Sequence, residues 1–235
     1  MNFLSRRIDA LVGQVPEPCQ LCAAHVSVDG LCEGCQQDLP RLPATHCPIC
    51  AVPTGTADLC GQCLKRMPAF DTVRAAFVYT FPIDRLIQRL KFGGALAVSR
   101  LLGGELLAAI DASQRPDMVI PMPLSKQRLR ERGFNQASEI ARPLMRALNI
   151  DLDTDACERL RHTPPQMGLT LAQRRANLRD AFHCRRALGG AKIAVVDDVM
   201  TSGATLEEVA RTLKRAGALR VSGWIVARTP PSGEA

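Results

Sequence analysis

Four C-x-x-C pairs restrict what the first third of this chain can become: Cys19/Cys22, Cys32/Cys35, Cys47/Cys50 and Cys60/Cys63. Nine residues separate the first pair from the second, and nine again separate the third from the fourth, so the segment is an internal repeat. A C-x-x-C turn lets two thiolates reach one ion, and two such turns complete a tetrahedral shell around zinc. One pair alone would suit redox chemistry equally well; four in tandem favour two structural zinc sites over disulfides or redox thiols. Sequential grouping closes each knuckle over one short connection, while an interleaved grouping stays open at this point. His25 and His46 lie beside these residues, but the cysteines already fill both shells. Residues 16–64 are short of apolar side chains, so metal must supply much of their folding energy.

Charge divides the chain in the same place. Residues 1–64 carry Arg6, Arg7 and Arg41 against Asp9, Glu17, Asp29, Glu33, Asp38 and Asp58, a balance of −3 within a total of +7. The remainder therefore holds +10. Each zinc with four thiolates would add a formal charge of about −2 to the acidic part. Phosphate binding needs positive surface, so the cysteine region reads as a structural or protein-docking module rather than a DNA reader. The basic remainder suits an anionic ligand, phosphorylated or nucleic acid.

Ahead of the cysteines, Phe3, Leu4, Ile8, Leu11 and Val12 fall roughly on one helical face. Arg6, Arg7 and Asp9 break any apolar core of a signal peptide, and no small-residue cleavage site follows. A docking helix over 1–15 is expected, followed by a double zinc ribbon over 16–67 and an α/β domain over 68–235. No apolar run reaches eighteen residues. The expectation is a cytoplasmic protein.

From Phe70 the chain alternates between two periodicities. Strands are predicted over Ala75–Thr80, Met118–Met122, Lys192–Asp197 and Val221–Ala227. Helices are predicted over Pro82–Lys91 (Ile83, Leu86, Ile87 and Leu90 inward), from beyond Phe92-Gly93-Gly94 to about Ile110, over Asn135–Leu148, and over Thr205–Ala216. Strands alternating with helices indicate a parallel α/β sheet. Cys157 and Cys184 lack partner spacing and read as packing residues, as does Trp224 in the last strand.

The stretch from Ile193 to Thr205 carries the chemistry. A buried strand delivers Asp197 and Asp198 at its carboxyl edge, where ligands bind in such sheets. The turn Thr201-Ser202-Gly203-Ala204-Thr205 then opens a helix, whose N-terminal amides can hold a phosphate dianion. Ribose hydroxyls and a bound cation are the natural partners of the acids.

This segment resembles the thirteen-residue phosphoribosyl pyrophosphate (PRPP) motif of type I phosphoribosyltransferases. The resemblance implies that Asp197 and Asp198 face the ribose hydroxyls, directly or through Mg²⁺, and that Thr201, Ser202, Gly203, Ala204 and Thr205 cradle the 5′-phosphate. Pro121-Met122-Pro123-Leu124-Ser125 stands where that fold places its pyrophosphate loop. With Leu90-Lys91-Phe92-Gly93, Arg132-Gly133-Phe134-Asn135-Gln136, the run from Arg159 to Gln166, Arg174-Arg175-Ala176-Asn177 and the tandem cysteines, nearly the whole chain is similar to the ComF (ComFC/GntX-like) competence family. That resemblance implies a part in single-stranded DNA uptake during natural transformation. It also implies a helicase and other competence proteins as partners, met through the zinc module, and work at the inner face of the membrane.

By position in these motifs, Lys91, Arg132, Arg161 and Arg175 are the candidates to meet phosphate or an incoming strand, together with Pro123, Leu124 and Ser125. Met167–Leu178 is the candidate flap over PRPP. In a transferase, Asp197 and Asp198 would be catalytic, supplying negative charge to the oxocarbenium as pyrophosphate leaves; Mg²⁺ and arginines would meet the pyrophosphate. No handle for choosing a base is visible. Three readings stand: a DNA-uptake factor that binds PRPP, a PRPP-dependent transferase of unknown acceptor, and a zinc-ribbon adaptor.

Overall fold

The structure is a computed structural model that describes residues 18–24, 30–111, 115–161 and 171–230. The helix expected over 1–15 and His25 lie outside the described residues. Two short helices, α1 (Glu33–Gln37) and α2 (Gly61–Lys65), each start directly after a knuckle cysteine, with Cys32 and Cys60 at the N-cap positions.

The α/β part opens with β1 (Thr72–Val78), α3 (Ile83–Gly93) and α4 (Leu96–Ala109), then β2 (Met118–Pro121), α5 (Lys126–Arg132) and α6 (Gln136–Leu148). A small antiparallel pair, β3 (Cys157–Arg159) and β4 (Phe182–Cys184), brackets α7 (Leu171–Leu178). The chain closes with β5 (Lys192–Met200), α8 (Ala204–Arg215) and β6 (Arg220–Arg228). The main sheet runs β1-β6-β5-β2 with every pairing parallel, as the alternation of periods predicts.

Buried on both faces, β5 shows why its sequence is a continuous apolar run. Ile193 and Val195 join the layer that contains Leu206, Val209 and Leu213 of α8. Ala194 and Val196 join the opposite layer, with Leu86 of α3, Leu102 of α4 and Ile140 of α6. The helix expected over Pro82–Lys91 buries Ile83, Leu86, Ile87 and Leu90 as read.

Boundaries differ where pairing overrides local pattern. The first strand lies at Thr72–Val78 because Thr72 and Val73 register with Ser222 and Gly223 of β6. The sheet carries β5 beyond the acids to Met200, which pairs with Arg228. Three-residue strands such as β3 and β4 give no readable period; they place Cys157 opposite Cys184, with Cys157 buried. The candidate flap is helical over Leu171–Leu178, and 162–170 lies outside the described residues.

The cysteine region packs directly on this sheet. Its connector lies antiparallel along β1, with Leu42 N–H donating to the Ala76 carbonyl (2.9 Å) and Val78 N–H to the Pro40 carbonyl (2.8 Å). The connector therefore covers an edge strand that would otherwise be open to pairing. The first knuckle joins the layer of α3 and α4, and the second joins that of α8.

Candidate functional site

The cysteines group sequentially: Cys19, Cys22, Cys32 and Cys35 form one cluster, and Cys47, Cys50, Cys60 and Cys63 the other. All ligand atoms of a cluster lie within 4.8 Å of one another. Tetrahedral Zn–S bonds of 2.3 Å would put sulfurs about 3.8 Å apart. Cys22 and Cys32 Sγ are 3.6 Å apart, as are Cys50 and Cys60 Sγ. The donor sets fit one zinc each. Burial opposes the thiolates of Cys19 and Cys47, yet amide donors outweigh it. Those of Cys22, Cys32 and Leu21 bring Cys19 down to about 6, and those of Cys60, Cys50 and Ile49 bring Cys47 to about 7. His46 turns its Nδ1 to the Pro43 carbonyl (2.7 Å), outside both shells.

The second candidate site sits at the carboxyl end of β5. Asp198 is buried and points toward the layer of α3 and α6, where Lys91 forms an ion pair with its Oδ2. The last turn of α3 places Lys91 there, and Gly94, in the left-handed region at φ 61°, then ends the helix. Gln136 Nε2 donates to Asp198 Oδ1 (3.2 Å), and Arg132 Nη1 donates to Gln136 Oε1 (2.8 Å). Asn135 begins α6 by capping Ala137 N–H (3.0 Å) while donating to the Met122 carbonyl (3.1 Å), which ties α6 to the chain after β2.

The two acids differ in state. Burial alone would raise Asp198, but the Lys91 ammonium pulls it below the usual carboxylate range. Desolvation and then the Asp198 charge push half-buried Asp197 upward. Asp197 also lies within electrostatic reach of Arg159, whose own pKa burial and Arg128 lower. Arg132 is lowered by burial and held back by Asp198. Lys91 in direct contact, Arg132 through Gln136 and Arg159 at electrostatic range thus set cations near the acids, a setting that suits an anionic ligand.

Beyond Met200 the chain leaves the sheet and bends through Thr201–Gly203 into α8. Gly203 has φ 76°, and a Cβ there would meet Met200 Cε at 2.7 Å. The conformation favours glycine, and a Cβ would require the flexible end of Met200 to shift. No side chain caps α8. Among the described residues no acceptor takes the amides of Thr201, Ser202, Gly203 or Thr205; Ala204 N–H reaches Ser202 Oγ at 3.4 Å. Thr201 is exposed and Ser202 and Thr205 are half-buried, so the turn opens outward.

The other expected residues are placed less uniformly. Pro123 and Ser125 are buried, and Ser125 Oγ caps Arg128 N–H of α5 at 3.3 Å. Leu124 is half-buried. Arg161 is exposed and donates to the Arg179 carbonyl. Arg175 belongs to α7, and its side chain lies outside the described residues. Gln136, Arg159 and Phe92 stand inside the motifs that carry the family resemblance but not among the candidate site residues. Phe92 is 77% exposed beneath the Arg132 guanidinium, 5.4 Å from its ring centre. Their membership of those motifs was the available signal.

Fold and sites define a class: a parallel α/β protein with an acid pair and an outward-opening turn at its sheet edge and two Cys₄ knuckles on its flank. No family model matches the chain. The DNA utilization protein YhgH of Escherichia coli O157:H7 is 37% identical over 224 residues, 92% of this chain and 98% of that protein. Competence protein F of Haemophilus influenzae is 34% identical over 214 residues, 87% and 93% of the two chains. Competence protein ComFC of Bacillus subtilis is 26% identical over 212 residues, 85% and 84% of the two. The chain belongs to this competence and DNA utilization family. A solved purine phosphoribosyltransferase from Pyrococcus horikoshii is 18% identical with a TM-score of 0.32, covering 68% of this chain and 82% of that one. So slight a likeness adds no support. Among the described residues no helix is long and apolar enough to cross a membrane.

Proposed function

We propose that this protein binds PRPP, or a related sugar phosphate, with Mg²⁺ at the edge of β5, and serves the handling of single-stranded DNA during uptake. The observation that carries the reading is the pairing of an acid couple with an outward-opening turn in which, among the described residues, the amides of Thr201, Ser202, Gly203 and Thr205 have no acceptor. Thr201, Ser202, Gly203, Ala204 and Thr205 would hold the 5′-phosphate, and Asp197 and Asp198 the ribose side. Mg²⁺ takes oxygen ligands and keeps company with one or two carboxylates and substrate phosphates. Asp197, half-buried and in no ion pair among the described residues, is the residue that fits it. The ion would neutralise pyrophosphate charge. Arg132 and Lys91 complete the anion-binding wall.

The names of the relatives support the DNA part, and the +10 charge outside residues 1–64 supplies the electrostatics for a strand. We assign residues 16–67 to a double zinc ribbon holding two structural zincs, and 68–235 to the phosphoribosyltransferase-like domain. A helicase and other competence proteins are the partners we assign to the ribbon, at the cytoplasmic face of the membrane. A second reading, transfer of the phosphoribosyl group, is favoured by Arg132 and Arg159 within electrostatic reach of the acids, where they would meet departing pyrophosphate. Pyrophosphate release with an acceptor base separates the two.

Calorimetry with PRPP and Mg²⁺, run beside a single-stranded oligonucleotide on the same sample, tests the site. Asp198→Ala should weaken PRPP at least tenfold, equal to about 1.4 kcal/mol, with both zincs retained. Unchanged PRPP affinity in that variant would remove the assignment.

A further inference from the structure

Arg228 ends β6 and is 6% exposed. Its Nε donates to the Cys50 carbonyl (2.9 Å), inside the second knuckle. Its Nη1 donates to the carbonyls of Met200 (2.9 Å), Thr229 (2.9 Å) and Thr201. All four acceptors are backbone oxygens, and among the described residues Arg228 forms no ion pair. A buried cation needs negative charge close by. Four thiolates around Zn²⁺ would provide it: Cys50, Cys63, Met200, Ser202, Gly203 and Arg228 line one shared cavity, and the carboxylate there, Glu207, is already paired with Arg66 and Arg211.

Peptide planarity gives these bonds a consequence for the turn. In a trans peptide the carbonyl and the following N–H point in opposite directions. Pinning the Met200 carbonyl toward Arg228 turns the Thr201 amide away from it, and pinning the Thr201 carbonyl does the same for the Ser202 amide. Those are two of the amides without an acceptor.

We propose that Arg228 is a positioning residue that couples the two sites: balanced by the zinc–thiolate centre of Cys47, Cys50, Cys60 and Cys63, it holds the phosphate turn in its receptive form. The proposal rests on the reading of that turn as a phosphate seat, and it assigns the first knuckle no part in this coupling. Ligand affinity therefore depends on the second zinc, although no cysteine touches the ligand.

The test uses full-length, zinc-loaded protein and the variants Arg228→Met and Arg228→Lys. Amide hydrogen exchange at residues 201–205, and zinc release to a chelator, are read without any ligand; PRPP affinity is read separately. Arg228→Met should speed exchange at 201–205, release one of the two zincs faster, and weaken PRPP about tenfold or more, the scale of lost charge-assisted hydrogen bonds. Arg228→Lys keeps the charge without the fork, so zinc retention should recover while exchange stays fast. Wild-type exchange and release in Arg228→Met would overturn the coupling. Should that variant fail to fold, gradual zinc stripping of the wild type decides: protection at 201–205 must fall with loss of the second metal. Protection that outlasts both metals overturns the proposal. A wild-type protein that ignores PRPP yet shows these exchange and release effects would refute the ligand and leave the coupling standing.

Discussion

The two knuckles share a spacing and a local geometry, but they differ in depth. In the first, Cys19 is buried, Cys22 is exposed, and Cys32 and Cys35 are intermediate. In the second, Cys47, Cys50 and Cys63 are buried and only Cys60 is intermediate. The first docks through Leu31 and Leu39 beside Phe77, and Arg89 of α3 donates to the Gln20 carbonyl. The second lies in one apolar layer with Phe70, Val73 and Ala204, the residue that opens α8. One knuckle leans on the outside of a helix layer, whereas the other packs in the layer beneath the turn that opens α8. The repeat specifies metal; the packing partner specifies what the metal supports.

Ligand deletions in the two knuckles should break their equivalence most strongly. Cys60→Ser and Cys22→Ser each remove one thiolate from an intermediate or exposed position, so neither change creates a large cavity. Each should lower bound zinc from two equivalents to one. The midpoint of thermal unfolding should fall much further for Cys60→Ser, because that knuckle shares its apolar layer with β5, β6 and α8. Equal falls, measured by calorimetry beside a metal count, would mean that burial depth carries no energetic distinction.

That asymmetry marks the limit of what could be read from the chain. Cysteine spacing is a local code: it identifies the ligands and favours sequential grouping over each short connection, and the structure settles that grouping. The acid pair and turn were legible for a similar reason: strand, acids, hydroxyls, glycine and helix start are consecutive. Arg228 was illegible. It stands 178 residues from Cys50, and nothing in Val226-Ala227-Arg228-Thr229 distinguishes it from a solvated strand end. Lys91 and Gln136 were partly legible, since their motifs were visible while their convergence on Asp198 depends on α3 and α6 sharing a layer. Arg161 was legible only as a motif neighbour; its donation to the Arg179 carbonyl, two residues beyond the end of β3, depends on tertiary packing that adjacency to a motif does not encode.

A smaller effect should come from the turn itself. Gly203→Ala introduces a Cβ at φ 76° and at 2.7 Å from Met200 Cε. The conformational cost is about 1–2 kcal/mol, and the methionine end can move, so the protein should fold with a slightly lower midpoint. PRPP affinity should drop more than stability does, with both zincs in place. If the variant instead loses the second zinc, the turn and knuckle exchange strain directly, and the division between that layer and the turn needs redrawing.

The smallest expected effect concerns charge, where the two regions also differ in sign. Residues 1–64 carry −3, and thiolate-bound zinc deepens this, while the remainder carries +10. A single strand should therefore lie on the α/β part, with affinity falling steeply as salt rises. Arg132 is half-buried over exposed Phe92, a pairing that offers a base a flat face beside a phosphate contact. Arg132→Ala should weaken an oligonucleotide modestly and reduce the salt slope by about 0.7, the release expected for one single-strand phosphate contact. Arg41→Ala supplies the contrast, because Arg41 is committed to Glu105 at 2.8 Å on the connector between the knuckles. Its slope should match the wild type. A slope that drops equally in both variants would place the strand across the cysteine region, against the field that region sets up.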